Sequence, residues 1–179
     1  MSNLIVLVGY MGSGKSTLGR HLAHKFSYNF FDLDELIEQK AGLTIPEIFK
    51  KQGVIYFRKL ENEVLKSALL ENLNTIIAVG GGTPCYYDNM KMINENSISI
   101  YLRATVPQLA LRLFPERENR PLIKDQETVS DLQEFIGKHL FERNAFYNEA
   151  QATVDVGSLT VNEAVNRCVQ VINQLRVAE

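Results

Sequence analysis

The stretch Gly9-Tyr10-Met11-Gly12-Ser13-Gly14-Lys15-Ser16 constrains this chain more than any other. It is a full G-x-x-x-x-G-K-[ST] match. It directly follows the apolar run Leu4-Ile5-Val6-Leu7-Val8 and opens a segment in which Leu18, Leu22 and Phe26 recur at helical spacing. Strand, glycine loop and helix in that order form a phosphate cradle. Glycines let the backbone turn tightly and aim its N–H groups inward as an anion nest. The start of the helix adds positive partial charge at the same point. Gly12, Ser13 and Gly14 therefore read as backbone donors to a nucleotide. Lys15 reads as a cation for the β- and γ-phosphates, Ser16 as a hydroxyl for Mg²⁺, and Thr17 as a hydroxyl near the α-phosphate. The motif establishes nucleotide binding but not the reaction, because GTPases, ATPases, small-molecule kinases and transporter motors share it.

A cradle of this kind needs a parallel sheet behind it, and the rest of the chain supplies one. Short apolar runs alternate with longer amphipathic segments, the pattern of an α/β domain. Strands are expected at 4–8, 29–32, 75–79, 98–102 and 152–156. Helices are expected at about 15–26, 33–41, 45–52, 54–71, 85–95, 106–113, 129–149 and 160–176. Thr44 with Glu47, and Thr160 with Glu163, read as capping boxes. Phe114 to Thr128 is the least regular stretch, with Pro115, Pro121 and many charges, and long irregular loops in compact domains are often lids. The 179 residues fit one domain, 1–179, with an acceptor-binding region at 33–62 and a lid at 112–126.

Composition narrows the function classes. Nineteen basic against 21 acidic residues give a formal net charge of −2, without the basic excess of a dedicated nucleic-acid binder. No run approaches the ~20 apolar residues of a membrane span, and the N-terminal run lacks a basic leader, so a cytoplasmic location is expected. Cys85 and Cys168 are far apart and read as reduced thiols. His21, His24 and His139 form no ligand cluster.

Several further groups bear on an acceptor site. Phe30-Phe31-Asp32-Leu33-Asp34 ends the second expected strand, where ligands of open α/β sheets bind. Asp32 suits Mg²⁺ held through water, and Asp34 suits hydrogen bonding to, or proton removal from, an acceptor hydroxyl. The plainer reading has one of the two cap the following helix. Phe57-Arg58-x-x-Glu61 puts a guanidinium and a carboxylate on one helix face, which alone is more often a surface ion pair. Gly80-Gly81-Gly82 permits close backbone approach at the end of the third strand, or is a flexible turn. Arg112, Arg117, Arg120 and Arg143 offer guanidinium groups for a transferring phosphoryl group or an acceptor carboxylate, or sit in solvent.

Taken together and in this order, these motifs resemble the shikimate kinase family over nearly the whole length. The resemblance rests on the phosphate loop, Asp32-x-Asp34, Phe57-Arg58-x-x-Glu61, Gly80-Gly81-Gly82, Arg120-Pro121-Leu122, and Arg143 followed by Tyr147. It implies a three-layer P-loop kinase fold with a five-stranded parallel sheet of order 2-3-1-4-5, flanked by helices and closed by a lid. It also implies transfer of the γ-phosphate of ATP, with Mg²⁺, to the 3-hydroxyl of shikimate in chorismate and aromatic amino-acid biosynthesis, by a monomer without nucleic-acid or membrane partners. Asp34, Arg58, Gly81 and Arg143 would bind shikimate, with Asp34 as base. Lys15 and Arg120 would stabilise the transferred phosphoryl group, and Ser16 and Asp32 would hold Mg²⁺. The register of Arg112 against the family's adenine-stacking arginine is open.

Two alternatives stand beside this reading. The first is a kinase of another small hydroxy acid, such as gluconate, on the same scaffold. The second is a GTP-dependent switch, against which the absence of an Asn-Lys-x-Asp stretch counts.

Overall fold

A computed structural model describes residues 3–71 and 73–178. Met1, Ser2, Asn72 and Glu179, which belong to the expected span 1–179, lie outside the described residues. Five strands, β1 (Leu4–Val8), β2 (Asn29–Asp32), β3 (Thr75–Ala78), β4 (Ile98–Arg103) and β5 (Ala152–Asp155), form one sheet in the order β2-β3-β1-β4-β5. All pairings are parallel, with Val6 between Ile77 and Ser99 and Leu7 between Ala78 and Ile100. The expected fold class and strand order are both observed. β1 and β3 are buried at every position, which is why they read as unbroken apolar runs. β2 and β5 are the edges and carry polar, partly exposed residues.

The helices are α1 (Lys15–Phe26), α2 (Leu33–Ala41), α3 (Ile45–Glu71), α4 (Asn89–Asn96), α5 (Val106–Leu113), α6 (Val129–Tyr147) and α7 (Val161–Ala178). α1 packs on α7, α2 on α3, α3 on α4 and α5 on α6. The core runs through the sheet and includes Ile5, Leu7, Leu22, Leu33, Leu65, Ile76, Ile77 and Ile93, all fully buried. Because the strands are parallel, the chain leaves each at the same edge. The phosphate loop, Asp32, Gly80 and Val156 thus all emerge along one rim, beyond the carboxyl ends of the strands.

Helix ends follow local chemistry. The Glu47 carboxylate accepts hydrogen bonds from the Thr44 amide and hydroxyl, and Thr160 and Glu163 bond reciprocally, as expected for both capping boxes. The helices expected at 45–52 and 54–71 are joined into one kinked α3, with Gly53 at φ 82° and ψ 173° between its halves.

The structure departs from expectation in two places. No single helix covers 85–95: a 3-10 turn at Thr83–Cys85 and a bend at Tyr87, with φ 50°, precede α4. Pro84 suits that short turn, and the Asn89 side chain donates back to the Thr83 carbonyl, so the true helix starts late. The stretch 114–128 is more ordered than an irregular loop. Phe114–Asn119 winds as a 3-10 helix, Ile123 is buried in the core, and Thr128 with Asp131 caps α6.

Candidate active site

The rim opens into a cavity of about 430 Å³. Its lining includes Gly12, Gly14, Lys15, Ser16, Thr17, Asp32, Asp34, Gly81 and Arg120, all named from the sequence, together with Glu116, which was not. The Lys15 ammonium donates to the carbonyls of Gly9 (2.8 Å) and Tyr10 (3.0 Å). Burial is the largest influence on it and lowers its pKa to about 8, against the opposing pull of Asp34 and Asp32. Ser13 is buried with its hydroxyl unpartnered, and it faces a neighbouring cavity rather than this one.

The two carboxylates have different tasks. Asp32 caps α2, accepting from the Asp34 amide through Oδ1 (3.2 Å), while its Oδ2 accepts from the Ser16 hydroxyl (2.7 Å). The capping role therefore belongs to Asp32 and leaves the Asp34 side chain free to face the cavity. Burial foremost, then the neighbouring charges of Asp32 and Glu61, raise the Asp34 pKa to about 6.

The glycine triplet is the hub of the site. A Cβ on Gly80 would lie 3.1 Å from Asp34 Oδ1, and one on Gly82 would lie 2.8 Å from Arg58 Nη2. One on Gly81 would lie 3.4 Å from the Met11 amide nitrogen of the phosphate loop and 3.7 Å from the Tyr147 hydroxyl, which donates to the Gly81 carbonyl. Three consecutive residues thus lie against Asp34, the phosphate loop and Arg58 in turn, and a side chain at Gly80 or Gly82 would displace the Asp34 carboxylate or the Arg58 guanidinium. The Arg58-Glu61 pair is largely buried and not a surface ion pair, though Arg58 and Arg143 both lie outside the lining of the main cavity. Arg58 Nη1 donates to Glu61 Oε2 at 2.6 Å, and the other Glu61 oxygen accepts from the Thr83 hydroxyl at 2.7 Å. Glu61 is 1% exposed. Arg143 stands beside this group, over the Tyr10 ring at 5.6 Å and near the Tyr147 hydroxyl, close enough to oppose the charge on Lys15.

Of the remaining arginines, Arg112 clips the phosphate loop to the segment after β5. It donates to the carbonyls of Gly12 (3.3 Å), Val156 (2.8 Å) and Gly157 (3.0 Å). It lines the main cavity and, with Gly14, Thr17, Leu159 and Val161, a second, more apolar cavity of about 230 Å³ that shares Gly12, Gly14 and Thr17 with the first. Arg120 is paired with Glu116 at 2.9 Å within the main cavity. Arg117 is turned back on its own 3-10 segment, donating to the Phe114 carbonyl and stacking on the Phe114 ring, and does not join the site. Sequence patterns gave no sign of Glu116, Thr83 or Asn89, because each acts through a partner outside any short motif.

Among the described residues, no three His, Cys, Asp or Glu side chains gather as metal ligands. Ser16 and Asp32 instead offer two adjacent hard oxygen donors. This donor set fits Mg²⁺, which keeps several waters and takes further ligands from phosphate oxygens.

Comparison with known proteins agrees with this geometry. The shikimate kinase family model matches residues 11–173. A shikimate kinase of Flavobacterium johnsoniae is 44% identical over 169 residues, which cover 94% of this chain and 98% of that one. The crystal structure of shikimate kinase from Bacteroides thetaiotaomicron superposes with a TM-score of 0.88 at 34% identity, covering 95% of this chain and 98% of its own. That of Acinetobacter baumannii shikimate kinase in complex with shikimate gives 0.84 at 31% identity, covering 97% and 94%.

Proposed function

The chain belongs to the shikimate kinase family, and from that premise we propose that it transfers the γ-phosphate of ATP to the 3-hydroxyl of shikimate through the rim site, as a step of aromatic amino-acid biosynthesis. The observation that carries the assignment of roles is the glycine triplet, which sets Asp34, the phosphate loop and Arg58 one residue apart.

In this reading the triphosphate lies in the amides of the phosphate loop, with the adenine toward the apolar cavity beside Arg112. Ser16 and Asp32 hold Mg²⁺, which when bound neutralises charge on the phosphate oxygens. Arg58 and Arg143 take the acceptor carboxylate. Asp34 and the Gly81 backbone take its hydroxyls. The 3-hydroxyl oxygen forms a bond to the γ-phosphorus as the bond to the β–γ bridging oxygen breaks, and that electron pair leaves with ADP. The hydroxyl proton passes to the Asp34 carboxylate, whose raised pKa makes it a better acceptor than an ordinary aspartate. Lys15 and Arg120 balance charge on the moving phosphoryl group. Residues 33–62 form the acceptor-binding part, and residues 112–126 form the lid that keeps water from the γ-phosphate.

The test is ADP release measured with a panel of shikimate, gluconate and nucleoside monophosphates. Turnover with shikimate alone is expected. In the same assay Arg58→Ala raises the KM for shikimate far more than that for ATP. Turnover of gluconate without shikimate would overturn the assignment.

A further inference from the structure

The Arg58 guanidinium is held from more directions than its role as a carboxylate clamp requires. Nη1 is fixed by Glu61, Nη2 lies against Gly82, and Nε is buried with no partner. The ring of Tyr86 covers the guanidinium, with Cζ 3.9 Å from the ring centroid, closer than the 5.0 Å to Phe57. Tyr86 is not carried on a helix. It sits between the 3-10 turn at Thr83–Cys85 and α4, and its neighbour Tyr87 adopts φ 50°, a left-handed conformation that a bulky residue rarely takes.

Several bonds hold that short segment in place. The Cys85 amide donates to the Gly82 carbonyl (3.0 Å), and the Asn89 amide donates to the Tyr86 carbonyl (3.2 Å). The Asn89 side chain donates to the Thr83 carbonyl (2.8 Å) and accepts from Asn62 of α3 (2.6 Å). Thr83 donates to Glu61, also of α3. The helix that carries Arg58 therefore grips the segment that carries Tyr86 at two consecutive residues, Glu61 and Asn62. A local strain at Tyr87 persists only where surrounding bonds overdetermine it, and such strain collects at functional sites.

We propose that Tyr86 is a positioning residue for the acceptor: its ring, laid against Arg58, fixes the plane in which the guanidinium meets the carboxylate of the bound substrate. This rests on the reading of Arg58 as a carboxylate clamp. An arginine presents its donors as a planar fork, so the tilt of that plane decides whether a carboxylate can accept two bonds. Glu61 fixes one corner of the fork, and the aromatic face fixes its tilt. The stack also removes water from that face of the cation, and Nε is enclosed as well, so only the Nη edge of the fork remains to meet a ligand. Tyr86, Arg58, Val54, Ile55 and Tyr87 line a separate pocket of about 220 Å³.

The experiment compares Tyr86→Ala, Tyr86→Leu and Tyr86→Phe with Arg58→Ala and the Tyr86→Ala/Arg58→Ala double variant. Each is first checked by circular dichroism melting. The KM for shikimate, the KM for ATP and kcat are then measured. Tyr86 is 40% exposed, so a cation–π stack of intermediate strength is expected. Its loss in the Ala and Leu variants raises the shikimate KM by about 3- to 30-fold. The ATP KM and kcat change little, and Phe restores the shikimate KM. In the double variant the Tyr86 substitution adds nothing to the Arg58 effect. Unchanged shikimate KM in Tyr86→Ala and Tyr86→Leu, with Arg58→Ala impaired, would overturn the positioning role while leaving the clamp intact. Additive effects in the double variant would also overturn it. Unchanged KM in Arg58→Ala would remove the clamp itself, and the role of Tyr86 with it. Should Tyr86→Ala fail to fold, the Leu–Phe comparison decides alone.

Discussion

Asp34 shows how one side chain trades stability for chemistry. Its carboxyl is buried beside two other carboxylates, and its pKa of about 6 in the fold lies above the ordinary 3.8. A raised pKa means that the folded state holds the proton more tightly than the unfolded state. The stabilisation from the neutral form is complete below pH 3.8, declines between 3.8 and 6, and is gone above that. At neutral pH the ionised group therefore costs on the order of 2–3 kcal/mol. Asp34→Asn should raise the melting temperature at pH 7.5, shift it much less near pH 4, and nearly abolish turnover. Equal shifts at the two pH values would mean that charge is not the cause. If Asp34 is the base, as proposed, the same group sets an acid limb: kcat/KM for shikimate falls as pH drops through about 6, where its carboxylate becomes protonated. Lys15 sets the opposite limb on kcat/KM for ATP, which falls as pH rises through about 8 and the free ammonium loses its proton.

Among the elements, α3 is the one whose shape matters most, because its second half carries both Arg58 and Glu61. Gly53 breaks it at φ 82° and ψ 173°, a region essentially restricted to glycine, and a Cβ there would meet nothing within 4 Å. Gly53→Ala thus tests backbone conformation free of any clash. It should lower stability by about 1–3 kcal/mol and raise the shikimate KM more than the ATP KM, as read by melting and steady-state kinetics. A stable variant with normal kinetics would show that the kink does not orient the second half of α3. The break falls in the gap between the helices expected from the sequence at 45–52 and 54–71. β1, β3 and α1 were equally plain, since a fully buried strand and an amphipathic helix write their periods into consecutive residues. What short motifs do not carry is long-range pairing. Glu61 meets Thr83 and Asn62 meets Asn89 across loops, and no spacing rule connects them. The late start of α4 follows from those same bonds, which is why a helix from residue 85 was expected and is not found.

At the scale of the whole molecule, the phosphate loop and the proposed acceptor group are set by the fold, while Arg120 is paired with Glu116. Arg120 donates to Glu116 through Nε and Nη2, and both side chains line the cavity beside Lys15. Ile123, three residues on, is buried in the core, so the proposed lid is anchored near its far end and Arg120 can change partner by local rotation. Binding of a triphosphate then sets a phosphate against Glu116 for the same guanidinium. The pair is substantially exposed, with side chains 38% and 59% accessible, so it is worth only about 0.2–1 kcal/mol. Glu116→Gln removes the competing charge and one negative neighbour of the incoming phosphates. It should lower the KM for ATP by about 1.5- to 5-fold, leave the shikimate KM unchanged, and show a smaller effect at high salt, where exposed charges are screened. Steady-state kinetics at low and high ionic strength provide the measurement. A higher ATP KM in Glu116→Gln would mean that the carboxylate supports the closed lid, and that the ion pair belongs to the working state rather than to the waiting one.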